Sequence, residues 1–172
     1  MRKVLMILIL IGLIVLGVTK AASARNNYQI LVDFSDFKLT LFNGRGEKLA
    51  AFPVALPEFI PNLPIEGRVK KIVRNPYWYP TSKTRRDYFL EKRIELPSVV
   101  KPGTPANPMG VAKIIIVFET VHIHPTIRIH GTPDLKSIGR RASRGCIRLN
   151  NQDILTLIDF IKGKPILVLF KK

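Results

Sequence analysis

The chain carries one cysteine, Cys146, in Ser143-Arg144-Gly145-Cys146-Ile147-Arg148, sixteen positions after His130 of His130-Gly131-Thr132. A thiol and an imidazole are the smallest kit for covalent acyl transfer, in which sulfur attacks a carbonyl carbon and a base takes the thiol proton. A structural cysteine normally sits in an apolar run, whereas this one has an arginine two residues away on either side. Positive charge and nearby backbone N–H groups favour the thiolate, which is the reactive form. Gly145 lets the backbone approach a substrate closely, and the N–H groups of Gly145 and Cys146 are candidates for stabilising an oxyanion. The group that orients the imidazole stays open at this point. Asp134 is near in sequence, and a backbone carbonyl would serve equally.

Metal binding is the rival chemistry. His122 and His124, two apart on a strand, share one face, and His130 with Cys146 would complete four ligands. Structural zinc sites rely on cysteines paired a few residues apart, and a single cysteine excludes that spacing. No metal and no other cofactor is expected, and His122 and His124 read as ordinary residues of a turn at a strand edge.

Short strands and tight turns must position these groups. Residues 28–33 and 37–42 are rich in β-branched and aromatic side chains, and the second run alternates apolar with polar. Asn43-Gly44-Arg45-Gly46 is a turn, Glu47 to Leu56 a third strand, and Gly67 to Arg74 a fourth. Val111 to Phe118 is apolar except for Lys113, which predicts a central strand. Ile127-Arg128-Ile129-His130 alternates and delivers His130 at a strand end. Between these, residues 75–109 are proline-rich and irregular, with a short helix within Arg85 to Glu95; a connection of that length is usually functional. A helix begins at Asn150 or Asn151, where Asn150 and Asp153 have the spacing of a capping pair. Ile154, Leu157, Ile158 and Ile161 share one face of it, Gly163-Lys164-Pro165 ends it, and Ile166 to Phe170 is a last buried strand. The expected fold is mostly β: a β-sandwich of mixed sheets with one packed α-helix after the cysteine.

With 172 residues, 47% of them hydrophobic, the chain holds one domain with a proper core and is not intrinsically disordered. Arg2 and Lys3, an apolar run from Val4 to Val18 and Ala22-Ser23-Ala24 describe a signal peptide over residues 1–24, or an uncleaved membrane anchor. Residues 25–172 are then the exported domain, in the periplasm or cell envelope. One cysteine also excludes a disulfide scaffold within the chain. The net charge of +16 speaks to association with anionic partners rather than to fold. Without an RNA-binding aromatic signature or a DNA-reading helix, nucleic acid is not an expected partner; an anionic cell wall is.

The motifs in order resemble the L,D-transpeptidase catalytic domain, also called the YkuD domain. His130-Gly131-Thr132 and Ser143 to Arg148 resemble its signature, Asn107-Pro108-Met109-Gly110 its Asn-Pro-Leu-Gly element, and Asn75 to Thr81 its Pro-x-Trp-x-Pro segment. Val32-Asp33 to Phe42 resembles the opening hairpin, and Asn150 to Ile161 the helix after the cysteine. The resemblance implies an exported enzyme acting on tetrapeptide stems of peptidoglycan. Cys146 would attack the bond between the third residue and D-Ala, release D-Ala and hold a thioester. An amine acceptor, such as a second stem peptide, a lipoprotein or a D-amino acid, would resolve it. Hydrolysis instead would make an L,D-carboxypeptidase, and loss of catalysis a basic wall-binding domain. By the same resemblance His130 is the base and the Gly131 carbonyl its orienter, while Ser143, Gly145 and Arg148 shape the pocket and oxyanion site. Many members have histidine where this chain has Arg144. An arginine cannot act as a base, but it can lower a thiol pKa or hold a substrate carboxylate.

Overall fold

The computed structural model describes residues 27–58, 63–118 and 127–172. The N-terminal apolar segment, His122 and His124 lie outside them. The first hairpin joins β1 (Tyr28–Asp33) to β2 (Lys38–Phe42), and β3 (Lys48–Pro53) completes a meander. After β4 (Leu56–Pro57) come β5 (Ile65–Arg74), helix α1 (Ser82–Lys92), β6 (Ala112–Val117) and β7 (Arg128–Thr132). The chain ends with β8 (Arg141–Ser143), β9 (Ile147–Asn150), helix α2 (Asn151–Ile161) and β10 (Ile166–Lys171).

Eight of these strands form one mixed sheet in the order β3-β2-β1-β10-β5-β6-β7-β9. The pairs β1–β10 and β7–β9 are parallel. The segment expected to run as one strand from Glu47 to Leu56 breaks at Val54, whose N–H reaches back to the Phe37 carbonyl. Ala55 then exchanges two hydrogen bonds of 2.9 Å with Arg148 of β9, at the opposite edge of the sheet. β4 continues the join by pairing in parallel with β8. The sheet therefore curls until its two edges meet, which leaves fewer backbone groups open to pairing with another chain. The expected layers of mixed sheets are one sheet folded over itself with a two-stranded addition.

Alternation decides what the curl encloses. Ile30, Val32, Leu39, Leu41, Ile114, Ile116, Ile129, Ile147, Leu149 and Phe170 are fully buried, each on the inward face of its strand. α2 closes the core with Ile154, Leu157, Ile158 and Ile161. Its start is the expected capping pair: the Asn150 side chain accepts from the Asp153 N–H at 2.8 Å and donates to the Asp153 carboxylate at 2.6 Å.

The segment from Asn75 to Gly110 is an arm stitched by one side chain. Asn107 is buried; its amide group donates to the Pro76 and Lys101 carbonyls at 2.9 and 3.1 Å, and its oxygen accepts from the Met109 N–H at 2.9 Å. Trp78 and Val100 exchange backbone hydrogen bonds across the arm, and Trp78 packs on Tyr88 with ring centroids 6.2 Å apart. α1 starts three residues before the expected helix because Thr81 caps it, its hydroxyl accepting from the Thr84 N–H at 3.1 Å. No α1 residue is buried, so α2 is the helix that belongs to the core.

Candidate active site

Three strands bring the chemistry to one face. In the β7–β9 register Ile129 lies opposite Ile147 and His130 opposite Arg148; in β6–β7, Lys113 lies opposite His130. Side chains two apart on a strand share a face, and so do direct partners on neighbouring strands. Arg128, His130, Arg148 and Lys113 therefore project from the side opposite the buried Ile129, Ile147 and Leu149. Cys146 stands one step before Ile147, which puts it beside Arg128 on that same side. Cys146 and His130, sixteen residues apart in the chain, thus come to one face through parallel register.

His130 is 2% exposed, and its Nδ1 lies 2.6 Å from the Gly131 carbonyl oxygen. A carbonyl only accepts, so Nδ1 carries the hydrogen and Nε2 of the neutral ring is left to accept a proton. Burial pulls the imidazole pKa down to about 4, against the Gly131 hydrogen bond that raises it and with help from Arg148, Arg128 and Lys113. Asp134, the other candidate orienter, turns instead toward Arg148, with 3.9 Å between them. Gly131 has a second constraint: a side chain there would collide with the Asn151 Oδ1, which accepts from the Val111 N–H at 3.1 Å.

Cys146 is half-buried. Its burial pushes the thiol above the ordinary cysteine value, opposed by the backbone and guanidinium of Arg128 and the charge of Arg148. This corrects the expectation of a thiolate favoured by flanking arginines. Desolvation outweighs the cations, and the strongest of them, Arg128, comes from the neighbouring strand. Ser143 is buried and braces the turn: its Oγ accepts from the Gly145 and Cys146 N–H groups at 3.3 and 3.0 Å and donates to the Cys146 carbonyl. The two amides offered to an oxyanion are thus engaged by Ser143. Gly145 has φ 153°, with nothing within 4 Å of where a side chain would start, so backbone conformation rather than space demands glycine.

Arg144 points to the arm. Its guanidinium meets the Asp87 carboxylate of α1 at 2.8 Å, and Lys83 sits on the same carboxylate at 3.1 Å. The Lys83 hydrogen bond outweighs burial, and with the charges of Lys83, Arg144 and Arg86 it holds the Asp87 carboxyl below the ordinary range. Arg148 is mostly covered.

A family model of the L,D-transpeptidase catalytic domain (YkuD) matches residues 27–168. The chain belongs to the L,D-transpeptidase family. Among curated relatives, the probable L,D-transpeptidase ErfK/SrfK of Escherichia coli K12 is 35% identical over 132 residues, covering 76% of this chain and 40% of that protein. Its Salmonella typhimurium counterpart is 33% identical over 134 residues, covering 77% and 40%. The chain thus spans about 40% of the length of these relatives. The fold matches that of L,D-transpeptidase 3 from Mycobacterium tuberculosis, with a TM-score of 0.56 at 14% identity, over 82% of this chain and 60% of that one.

Within this L,D-transpeptidase domain, sequence reasoning passed over Arg128 and Lys113. Both interrupt apolar strands, and Arg128 stands two residues before His130. That spacing alone puts Arg128 on the histidine's face. Which strand would lie beside it was the missing piece.

Proposed function

We propose that this chain is an exported cysteine L,D-transpeptidase acting on tetrapeptide stems of peptidoglycan. The observation that supports it is the register that sets Cys146 and His130 on one face, with His130 Nδ1 held by the Gly131 carbonyl. His130 is neutral at pH 7 and Cys146 is protonated, so the resting site is a thiol beside a base. As sulfur attacks the carbonyl carbon of the third residue, its proton passes to His130 Nε2. The tetrahedral intermediate collapses, the C–N bond breaks, and the imidazolium returns the proton to the leaving amine of D-Ala. A thioester remains on Cys146. An acceptor amine then attacks, gives a proton to His130, and expels the sulfur, which is reprotonated. Acceptors with this chemistry are a second stem peptide, a lipoprotein amine or a free D-amino acid; water in their place gives an L,D-carboxypeptidase.

Export rests on the N-terminal pattern of two cations, an apolar run and Ala22-Ser23-Ala24, either cleaved or kept as an anchor in the inner membrane. Incubating a purified disaccharide-tetrapeptide with a labelled D-amino acid tests the activity. Exchange of D-Ala should occur with the wild type and fall by at least 1000-fold, on the order expected for a lost nucleophile or base, in Cys146→Ala and His130→Ala. Undiminished exchange in both variants sinks the proposal.

A further inference from the structure

The face that carries Cys146 and His130 holds more positive charge than proton transfer requires. Lys113 lies opposite His130 on one side and Arg148 on the other, and Arg128 stands beside Cys146. Among the described residues no carboxylate pairs with Lys113 or Arg128, and Arg148 has only Asp134 at 3.9 Å. The Nε atoms of Arg128 and Arg148 are both buried without a hydrogen-bond partner. Leaving charged donors buried and unsatisfied is costly, and cations in register repel one another. Burial together with Arg128 and Lys71 depresses the Lys113 ammonium, as expected where an anion is missing. Arg144 cannot fill this role in its present position, because Asp87 occupies its guanidinium.

The donor's own chemistry says which anion arrives. A tetrapeptide ends one residue beyond the bond that is cut, so its terminal carboxylate carbon lies three bonds from the reacting carbonyl carbon, roughly 3.5 Å away. With the sulfur bonded to that carbon, the carboxylate is within about 5 Å of the sulfur. Arg128, which the β7–β9 register sets beside Cys146 and whose charge acts on the thiol, is the cation at that reach. Its planar fork matches a carboxylate with two parallel hydrogen bonds.

We propose that Arg128, backed by Lys113, binds the terminal α-carboxylate of the donor peptide and so selects donors that end one residue beyond the bond Cys146 attacks. The assignment rests on the transpeptidase reading above. It makes Arg128 a specificity-determining residue, distinct from the nucleophile and the base.

Three synthetic donors separate the possibilities: the free tetrapeptide, its terminal carboxamide, and a form whose third-residue side-chain carboxylate is amidated. Release of the terminal residue is measured as kcat and KM for the wild type, Arg128→Gln and Arg128→Lys, with circular dichroism melts to compare folding. The wild type should prefer the free acid to the carboxamide by roughly 10- to 100-fold in kcat/KM, the worth of a charge-assisted contact. Arg128→Gln should erase that preference: any loss through the thiol falls on both donors alike, and the free acid should lose a further roughly 10- to 100-fold in kcat/KM that the carboxamide does not. Arg128→Lys should keep part of the preference, and it supplies the test if the glutamine variant does not fold. Equal losses on the free acid and the carboxamide would mean that Arg128 serves only the thiol, and the assignment falls. A loss that disappears only when the third-residue side chain is amidated would move the contact to that carboxylate and likewise overturn it. Wild-type protein that turns over none of the donors overturns the transpeptidase reading itself, a result separable from the others.

Discussion

His130 and Cys146 share a face and are both uncharged at neutral pH, and burial is the cause on both sides. A buried imidazole is easier to keep neutral and a buried thiol harder to ionise. The acid limb of kcat/KM, set by His130 in the free enzyme, is expected near pH 4 rather than at the ordinary 6.5. A stability effect accompanies it. The folded pKa lies below the unfolded one, so His130 contributes fully above pH 6.5, and its contribution is lost as pH falls toward 4, where the unfolded chain binds the proton first. The loss is on the order of 3 kcal/mol, and denaturant melts between pH 7 and pH 4 should be flatter for His130→Gln by about that amount. A kinetic pKa that stays near 6.5 would mean that the imidazole is solvated in the working enzyme. The residue types proposed for this chemistry were legible in the sequence. The size and sign of their pKa shifts were not, because desolvation depends on what covers a side chain.

At the scale of elements, the site depends on two asparagines outside the catalytic motif. Asn151, the first residue of α2, fastens the start of β6 against Gly131, and that contact leaves no room for a side chain at Gly131. Asn107 bonds the two halves of the arm together. Replacing Asn107 with alanine removes these bonds and leaves buried carbonyls and an N–H unsatisfied, at a cost of about 2–3 kcal/mol. Chemical denaturation should show that loss, and limited proteolysis should cut first between residues 75 and 109; a variant as stable and as resistant as the wild type would contradict the stitching role. Asn150 and Asp153 were readable as a cap from spacing, since both partners lie within one helical turn. The bonds of Asn107 were not readable: one of its acceptors, Pro76, lies thirty-one residues away. Likewise the short helix expected within Arg85 to Glu95 had no readable start, because α1 (Ser82–Lys92) buries nothing and so shows no apolar stripe.

For the whole molecule, the curl of the sheet and the surplus of cations matter most. The chain carries 28 lysines and arginines against 12 acidic residues. Such a charge attracts an anionic polymer over about a Debye length, near 10 Å at 0.1 M salt, and the attraction is screened as salt rises. Binding of the Cys146→Ala protein to purified cell-wall sacculi should therefore fall several-fold between 0.05 and 0.5 M sodium chloride, by the same screening. Sedimentation of the protein with the sacculi measures it. Retention that ignores salt would point to neutral contacts with sugar or peptide instead. The mostly β class and the packed helix could be read from period-two and period-3.6 patterns. The curl could not, because the join at Ala55 and Arg148 links segments ninety-three residues apart.

The sequence by itself determined which groups could react and which neighbours on a strand share a face, because both follow from residue type and backbone period. That was enough to single out Cys146, His130 and the helix behind them. Only the tertiary structure decided that the cation beside the sulfur is Arg128, that Arg144 is turned to Asp87, and that burial overrides charge at the thiol. Those outcomes depend on strand register and solvent exclusion, which arise from contacts between distant segments and leave no local mark.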